Sequence, residues 1–340
     1  MAKHARVVFW INEPCRNPIK FLKRLFTKKE NTGGVKIYDP FLLTPTLFNL
    51  NALNAFLLRI QLFLVCGFLN NKKTILWSVY CSHAKVIRHF KNTFKIYWPG
   101  DLFNLEEEKK ELELYDMIMP LTEDKLEQLK GIYHGMTLLS QTGCDWELFE
   151  RIYQQESPLN QNTSQKAERV IGYVGNLSAK RIDFKLIHSL ANKLEDVTIE
   201  LAGPIENDLE SQSWLQKLCL CSNIKLLGEV SYEEVPQVIS RFDVGIIPYL
   251  LNEFNLGTNP NKFYEYSAMG VPCVSTNLPS LTKFSPYIRI GQDLESWISL
   301  IKETLVRNEE KVAELRKISF NASPQVALLK ISNSILETVN

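Results

Sequence analysis

The stretch at residues 243–280 constrains the fold of this chain more than any other. It reads DVGIIPYLLNEFNLGTNPNKFYEYSAMGVPCVSTNLPS. An apolar run that ends in Pro248 predicts a buried strand, and a second apolar run follows Gly270. Between them, Asn259 and Pro260 are the residue types preferred at an N-cap and at the first helical position. The pattern therefore predicts, in order, a strand at 244–248, a polar loop at 250–258, a helix at 261–269 and a strand at 271–276.

The start of that predicted helix has the features of an anion site. The first N–H groups of a helix have no intrahelical partners, and the positive end of the helix dipole lies there. Lys262 adds a positive charge, and Glu265 lies three residues further along, on the same side of the helix. Alone, these two would be a surface ion pair worth roughly 0.2–0.5 kcal/mol. Here they follow a buried strand. A cation suited to phosphate and a carboxylate suited to hydroxyl groups together indicate a bound nucleotide, with its diphosphate near the N-cap of the helix.

The segment at 260–276, PNKFYEYSAMGVPCVST, resembles the nucleotide-sugar signature of retaining GT-B glycosyltransferases of family 4. The resemblance implies that Glu265 binds the ribose hydroxyls and that Lys262 lies near the donor phosphates. The family often carries another Glu, eight residues before the ribose Glu, that contacts the donor sugar. This chain has Gly257 there, and Glu253 lies four residues earlier; a sub-branch of the family has G-x-x-P-x-K in this loop, as this chain does. The predicted donor contacts of the loop are Gly257, Thr258 and Asn259.

A glycine turn further upstream predicts another wall of the donor site. The run VIGYVGN reads as a strand that ends in a turn at Gly175 and Asn176. Strand, glycine turn and helix form a geometry that binds a diphosphate, although this G-x-x-G alone is a weak signal. The resemblance implies that Arg181, after the turn, touches the diphosphate. It also implies that backbone atoms at Gly228 and Val230 hold the nucleobase.

Length and charge divide the chain into two unlike halves. Its 340 residues suffice for two domains, and 45% hydrophobic with 23% charged residues is typical of a globular protein. The first 100 residues hold 16 Lys and Arg against 3 Asp and Glu, a net +13, so the formal net charge of +1 leaves −12 for the rest. The basic half indicates either anionic lipid or an acceptor that bears phosphate or carboxylate. The absence of a zinc-finger spacing, an RNP motif or a base-reading basic helix argues against nucleic acid.

The basic half carries candidate acceptor contacts and candidate membrane-facing segments. His83 and Asp101 each follow a predicted strand, and open α/β sheets bind ligands at the carboxyl ends of their strands. A lone histidine is more often structural. Residues 17–29 alternate cations with apolar side chains, so they form either a helix on a membrane surface or an ordinary surface helix. The apolar window at 47–69 contains Arg59 near its middle, which argues against a membrane span.

The resemblance covers the second half of the chain almost fully and the first half loosely. It implies an α/β protein of the GT-B fold, with two Rossmann-like domains that face a cleft. The polar residues 154–167 read as the linker. The predicted parts are an acceptor-binding domain at 1–155, a nucleotide-sugar-binding domain at 168–318 and a C-terminal helix at 319–340 that packs back on the first domain.

The implied function is transfer of a sugar from a nucleoside diphosphate sugar, with UDP-sugar favoured, to a glycan or glycolipid acceptor in cell-surface polysaccharide synthesis. The family retains the anomeric configuration. Because a suitable D-x-D motif is missing, we expect neither a metal nor a cofactor, and Lys262 and Arg181 would stabilise the leaving diphosphate. Two alternatives stay open: a nucleotide-sugar epimerase of the same fold, and a catalytically silent protein that binds a glycan or a partner enzyme, suggested by Gly257.

The predicted location is the cytoplasm, with peripheral contact at the inner face of the membrane. The polar start of the sequence and the short apolar run at 7–11 do not form a signal peptide. Seven scattered cysteines, an odd number, indicate reduced thiols rather than a disulfide framework.

Overall fold

The structure of the protein, a computed structural model, contains two compact units built from parallel strands and helices. One unit comprises Met1–Pro120 with Asp124–Leu138, and the other comprises Leu121–Glu123 with Leu139–Asn340. The residues that the structure describes are 8–11, 35–38, 56, 60, 74–79, 93–99, 105–140, 143–156, 168–285, 287–305 and 309–339.

The described part of the first unit has two parallel sheets. Its elements are β1 (Val8–Ile11), β2 (Val35–Tyr38), β3 (Thr74–Ser78), β4 (Thr93–Tyr97), α1 (Leu105–Leu112), β5 (Met117–Ile118), α2 (Glu123–Lys130) and β6 (Met136–Thr137). β1 pairs with β2, and the other sheet has the order β3-β4-β5-β6. The strands predicted before His83 and Asp101 are confirmed as β3 and β4. A small core includes Ile118 of β5 with Leu112 and Leu129 of the two helices.

The second unit is a Rossmann-like layer of alternating strands and helices. Its elements are α3 (Trp146–Glu156), β7 (Arg169–Val174), α4 (Phe184–Lys193), β8 (Val197–Ala202), α5 (Leu209–Leu218), β9 (Ile224–Gly228), α6 (Val235–Ser240), β10 (Val244–Ile247), α7 (Glu253–Leu256), α8 (Asn261–Ala268), β11 (Cys273–Ser275), α9 (Pro279–Thr282), β12 (Ile288–Ile290), α10 (Leu294–Thr304), α11 (Glu309–Asn321) and α12 (Pro324–Val339).

The strand order of the second unit decides where a ligand can bind. The sheet is parallel throughout, in the order β12-β11-β10-β7-β8-β9. Every residue of β8 and β10 is buried, as expected for strands of a parallel sheet covered on both faces. The order reverses between β7 and β10. At such a switch point the loops leave the sheet in opposite directions and open a crevice at the carboxyl ends of the strands.

The strand–loop–helix–strand unit predicted at 243–280 is confirmed as β10, α8 and β11, with two corrections. The predicted polar loop contains the short helix α7, because the Asn252 side chain accepts a hydrogen bond of 2.9 Å from the Asn255 amide and caps it. The prediction that Asn259 is the N-cap of α8 was wrong. Pro260 holds that position, and the Asn259 amide instead donates over 3.2 Å to the Tyr264 hydroxyl.

Helix α3 lies with the second unit, whereas the sequence analysis assigned it to the first domain. Phe149 and Ile152 of this helix are buried in the core of the second unit. The helix also runs to Glu156, three residues into the predicted linker, and residues 157–167 lie outside the described residues. The packing of the C-terminal helix on the first domain stays a prediction.

Arg316 of α11 contacts both α8 and α3 and so connects the three helices. Its Nη1 donates to the carbonyl oxygen of Ala268, the last residue of α8, over 2.6 Å, and its Nη2 pairs with Glu150 of α3. The guanidinium carbon also lies 3.3 Å from the centre of the Tyr153 ring. A cation at the carboxyl end of a helix interacts favourably with the helix dipole, so Arg316 stabilises α8 in its position.

We expect Arg316→Ala to lower the free energy of unfolding by about 1.5–3 kcal/mol, the usual contribution of hydrogen bonds made by a charged group. Urea denaturation of the full chain measures this. Lys317→Ala removes an exposed neighbouring cation and serves as the control, with a change near zero expected. Equal unfolding curves for the two variants would contradict the role given to Arg316.

In the part of the chain that the structure describes, no helix is both long and apolar enough to span a membrane. The segment at 17–29 lies outside the described residues, as does the window at 47–69 apart from residues 56 and 60. Cysteines 144, 219, 221 and 273 are free thiols.

Candidate functional site

Three glycine turns lie side by side at the carboxyl ends of β7, β8 and β9. Gly175, Gly203 and Gly228 have φ angles of 145°, 133° and 77°. A Cβ on Gly203 would lie 2.1 Å from the carbonyl oxygen of Gly175, so these turns approach too closely for any side chain. The Gly203 amide donates over 2.7 Å to the Gly228 carbonyl. A Cβ on Gly228 would meet nothing within 4 Å, so the outer turn faces open space.

Lys262 reaches from the first turn of α8 to the turn at Gly175. A Cβ on Gly175 would lie 2.4 Å from both Cε and Nζ of Lys262, so the ammonium group occupies the space that glycine leaves. The Nζ atom lies 5.2 Å from the centre of the Tyr173 ring and 5.9 Å from that of Tyr249, within the range of cation–π attraction. The structure thus brings together two residues that the sequence analysis named for the same diphosphate.

Arg181 lies against two aromatic rings of the loop that follows β10. Its guanidinium carbon is 5.2 Å from the centre of the Tyr249 ring and 4.7 Å from that of Phe254. Its Nη1 donates a long hydrogen bond of 3.5 Å to the Tyr249 hydroxyl. Because Lys262 also lies over the Tyr249 ring, the two predicted cations share one aromatic neighbour.

The backbone around Arg181 is tied to the loop that follows β10. The Arg181 carbonyl accepts hydrogen bonds from the Leu250 amide at 2.8 Å and from Asn255 Nδ2 at 3.0 Å. Asn252 Nδ2 donates over 2.8 Å to the Lys180 carbonyl. These bonds join the loop after β7 to the loop after β10, directly across the switch point.

Glu265 lies one turn beyond Lys262 on α8 and is partly buried. Burial raises the pKa of its carboxyl above the ordinary value, and the Lys262 charge opposes that shift. The pKa of the Tyr232 hydroxyl is also raised, chiefly by burial and to a lesser extent by the Glu265 charge. Tyr232 follows the Gly228 turn closely in sequence. Glu265 therefore lies near the loop that the sequence analysis assigned to the nucleobase.

In the loop before α8, the side chains of Thr258 and Asn259 bond to other parts of the protein, so this loop would contact a ligand mainly through its backbone. Thr258 and Asn259 are both buried. The Thr258 hydroxyl donates over 2.8 Å to the Asn255 carbonyl, and Asn259 is engaged with Tyr264. Gly257 ends α7 at a φ of −83°, a conformation open to any residue. The donor contacts predicted at these three positions stay predictions.

Two further predicted contacts lie at the same edge of the sheet. Asn176 is exposed, and its Nδ2 donates over 3.3 Å to Glu206 on the loop after β8. Val230 follows the Gly228 turn and packs partly buried against the core. Both therefore lie at the turns that surround the switch point.

The acceptor-side candidates His83 and Asp101 lie outside the described residues. Sequence reasoning missed the aromatic residues Tyr249 and Phe254 that hold Arg181. Tyr249 directly follows Pro248 and Phe254 lies within the short helix α7, and an aromatic residue directly after the proline of a buried strand was the available signal. Among the described residues, no cluster of three or more His, Cys, Asp or Glu could hold a metal ion. Independence from metal and cofactor stays a prediction.

A doubly wound sheet with glycine turns and two cations at its switch point defines a Rossmann-like unit. The family model for group 1 glycosyl transferases matches residues 168–294, which is this unit. The Bacillus subtilis protein named as teichuronic acid biosynthesis glycosyltransferase TuaH is 31% identical over 182 residues. That match covers 52% of this chain and 45% of TuaH, so the chain spans less than half the length of this relative. The resemblance to group 1 glycosyltransferases is confirmed.

Solved structures of low sequence identity share the fold. The UDP-forming α,α-trehalose-phosphate synthase of Burkholderia xenovorans has a TM-score of 0.63 at 14% identity, covering 86% of this chain and 78% of that one. HepE of Anabaena, solved in complex with UDP, has a TM-score of 0.63 at 13% identity, covering 98% and 99%. The predicted GT-B fold is therefore confirmed.

Proposed function

We propose that this protein is a glycosyltransferase that moves a sugar from a UDP-sugar to a glycan or lipid-linked acceptor in the synthesis of a cell-surface polysaccharide. One observation carries the proposal: Arg181 and Lys262 both lie against the Tyr249 ring at the switch point of the sheet, and Lys262 reaches the Gly175 turn. The group 1 match over this unit supports glycosyl transfer. The name of TuaH refers to teichuronic acid biosynthesis and supports a polysaccharide product, and the UDP bound to HepE supports a uridine donor.

The chemistry of the proposal depends on the leaving group. When the bond between sugar and diphosphate breaks, negative charge develops on the diphosphate, and positive charge held in place lowers the barrier. Arg181, Lys262 and the N-terminus of α8 supply that charge, in the role that a metal ion has elsewhere. Glu265, one turn further along, suits the ribose, because an ionised carboxylate accepts hydrogen bonds from two hydroxyl groups. Retention of the anomeric configuration is part of the proposal.

The charge of the first 100 residues supports the proposed acceptor. Their net +13 suits an acceptor with phosphate or carboxylate groups, or an anionic membrane that carries a lipid-linked acceptor. An epimerase acts on the free nucleotide sugar and has no need of such a surface. The proposal therefore places the protein at the inner face of a membrane, in peripheral contact.

Binding of nucleoside diphosphates tests the donor half of the proposal. Saturation-transfer NMR with UDP, GDP and ADP should show the strongest effect for UDP, and failure of all three to bind would overturn the proposal. Incubation with UDP-sugars then separates the alternatives. Release of UDP supports a transferase, a changed sugar without UDP release indicates an epimerase, and binding without turnover at any acceptor indicates a silent protein.

Gly175→Ala is expected to weaken UDP binding at least about tenfold, because a Cβ would displace the Lys262 ammonium from the turn. The left-handed φ of 145° adds strain, so we also expect a loss of about 1–3 kcal/mol in the free energy of unfolding. Calorimetry with UDP and urea denaturation measure the two effects. In the control Gly131→Ala, the nearest atom to the added Cβ is 3.8 Å away, so little change is expected. Unchanged UDP affinity in Gly175→Ala would contradict the placement of Lys262.

A further inference from the structure

Tyr249 lies at the centre of the charged cluster. It directly follows Pro248 at the end of β10 and is 1% exposed. Its backbone forms an isolated bridge with Ile182, and the Leu250 amide after it donates to the Arg181 carbonyl. The position of the Tyr249 ring is therefore tied to the backbone at Arg181 and Ile182.

Two cations meet this one phenol. Arg181 Nη1 donates to the Tyr249 hydroxyl at 3.5 Å, and Lys262 Nζ lies 5.9 Å from the centre of the Tyr249 ring. Burial raises the pKa of the Tyr249 hydroxyl, but Lys262 and Arg181 lower it by more, and the net direction is downward. The neighbouring Tyr173 differs, since burial and Tyr249 raise the pKa of its hydroxyl well above the ordinary value.

The placement of Arg181 and Lys262 around Tyr249 favours the binding of an anion. Two like charges on flexible side chains repel each other and turn towards solvent unless something holds them together. The Tyr249 oxygen accepts from Arg181, the Tyr249 ring attracts Lys262, and the Phe254 ring centre lies 4.7 Å from the Arg181 guanidinium carbon. A diphosphate entering the crevice therefore meets a dication that is already in place, and little side-chain ordering is needed on binding.

We propose that Tyr249 is a positioning residue: its hydroxyl holds the Arg181 side chain beside Lys262, whose ammonium lies at the Gly175 turn, so that both cations reach the same diphosphate. This inference rests on the proposed function for the identity of the donor. The cluster itself is an anion site whatever the nucleoside.

The test uses Tyr249→Phe, which keeps the ring and removes only the hydroxyl. Inorganic pyrophosphate is the probe, with binding measured by calorimetry on the full chain. We expect pyrophosphate to bind about tenfold more weakly to Tyr249→Phe than to the wild type, as for the loss of one hydrogen bond to a charged group. The control is Tyr266→Phe. This buried hydroxyl contacts the backbone of β7 and β10, and its loss should leave pyrophosphate affinity unchanged.

A tyrosinate absorbance titration adds a readout that a purely structural role would not change. The wild type should contain one tyrosine that ionises below the ordinary range, and that tyrosine should be missing from Tyr249→Phe and present in Tyr266→Phe. Equal pyrophosphate affinities in wild type and Tyr249→Phe, or no binding to the wild type, would overturn the inference. Pyrophosphate binding that depends on Tyr249 without binding of UDP, GDP or ADP would support the inference and overturn the proposed function instead.

Discussion

Lys262→Ala should lower kcat by about 10²–10³-fold, the size of effect seen when one group that stabilises transition-state charge is removed. The fold should survive, because Lys262 is partly exposed and its ammonium lies against the Gly175 turn and two tyrosine rings at the surface end of the sheet. UDP release from a UDP-sugar in the presence of acceptor measures the rate, and thermal unfolding checks the fold.

A control substitution of another lysine in the same unit distinguishes the loss of kcat in Lys262→Ala from the effect of removing any positive charge. Lys225 on β9 pairs with Glu168 at 3.0 Å, away from the switch point. Lys225→Ala removes the same charge and should keep the wild-type rate. A folded Lys262→Ala variant with normal turnover would refute the assignment of the site.

Glu265→Gln should weaken UDP binding at least about tenfold and at the same time raise the melting temperature at neutral pH. The amide accepts hydrogen bonds through one oxygen only, so it replaces the carboxylate poorly at two ribose hydroxyls. It also carries no charge, so the cost of burying the carboxylate disappears. Calorimetry and thermal unfolding measure the two effects. The exposed Glu210 on α5 supplies the control: Glu210→Gln should change neither.

The pH dependence of that stability gain follows from the raised pKa of Glu265. Between the ordinary pKa of 4.5 and the raised one, the folded protein binds more protons than the unfolded chain, so the wild type loses stability as pH rises through this interval. Below the ordinary value the carboxyl is protonated in both states and the difference vanishes. The advantage of Glu265→Gln should therefore be largest at neutral pH and fade as the pH is lowered towards 4.5. A gain that is constant over this range would show that charge burial is not its cause.

Elements with local signals could be predicted from the sequence, and elements that depend on competing partners could not. The helix α8 and its neighbours β10 and β11 are marked by apolar runs and by a terminal glycine, Gly270, with a φ of 66°. The predicted N-cap of α8 was wrong because the Asn259 side chain has an alternative partner, the Tyr264 hydroxyl, which only the folded loop presents. The sequence did not show that helix α3 packs in the second unit, because its apolar face has a helical period whichever core it packs against.

The sequence by itself determined the chemistry of the candidate donor site: a lysine and a carboxylate one turn apart on a helix, an arginine after a glycine turn, and a family signature around them. These follow from residue type and spacing, which are local properties. The tertiary structure alone decided that Arg181 and Lys262 meet at one tyrosine. Their loops leave β7 and β10, which are distant in sequence and become neighbours only through the reversal of strand order in the sheet. Long-range strand pairing therefore placed two separate cations beside one aromatic ring, where we propose that the donor diphosphate binds.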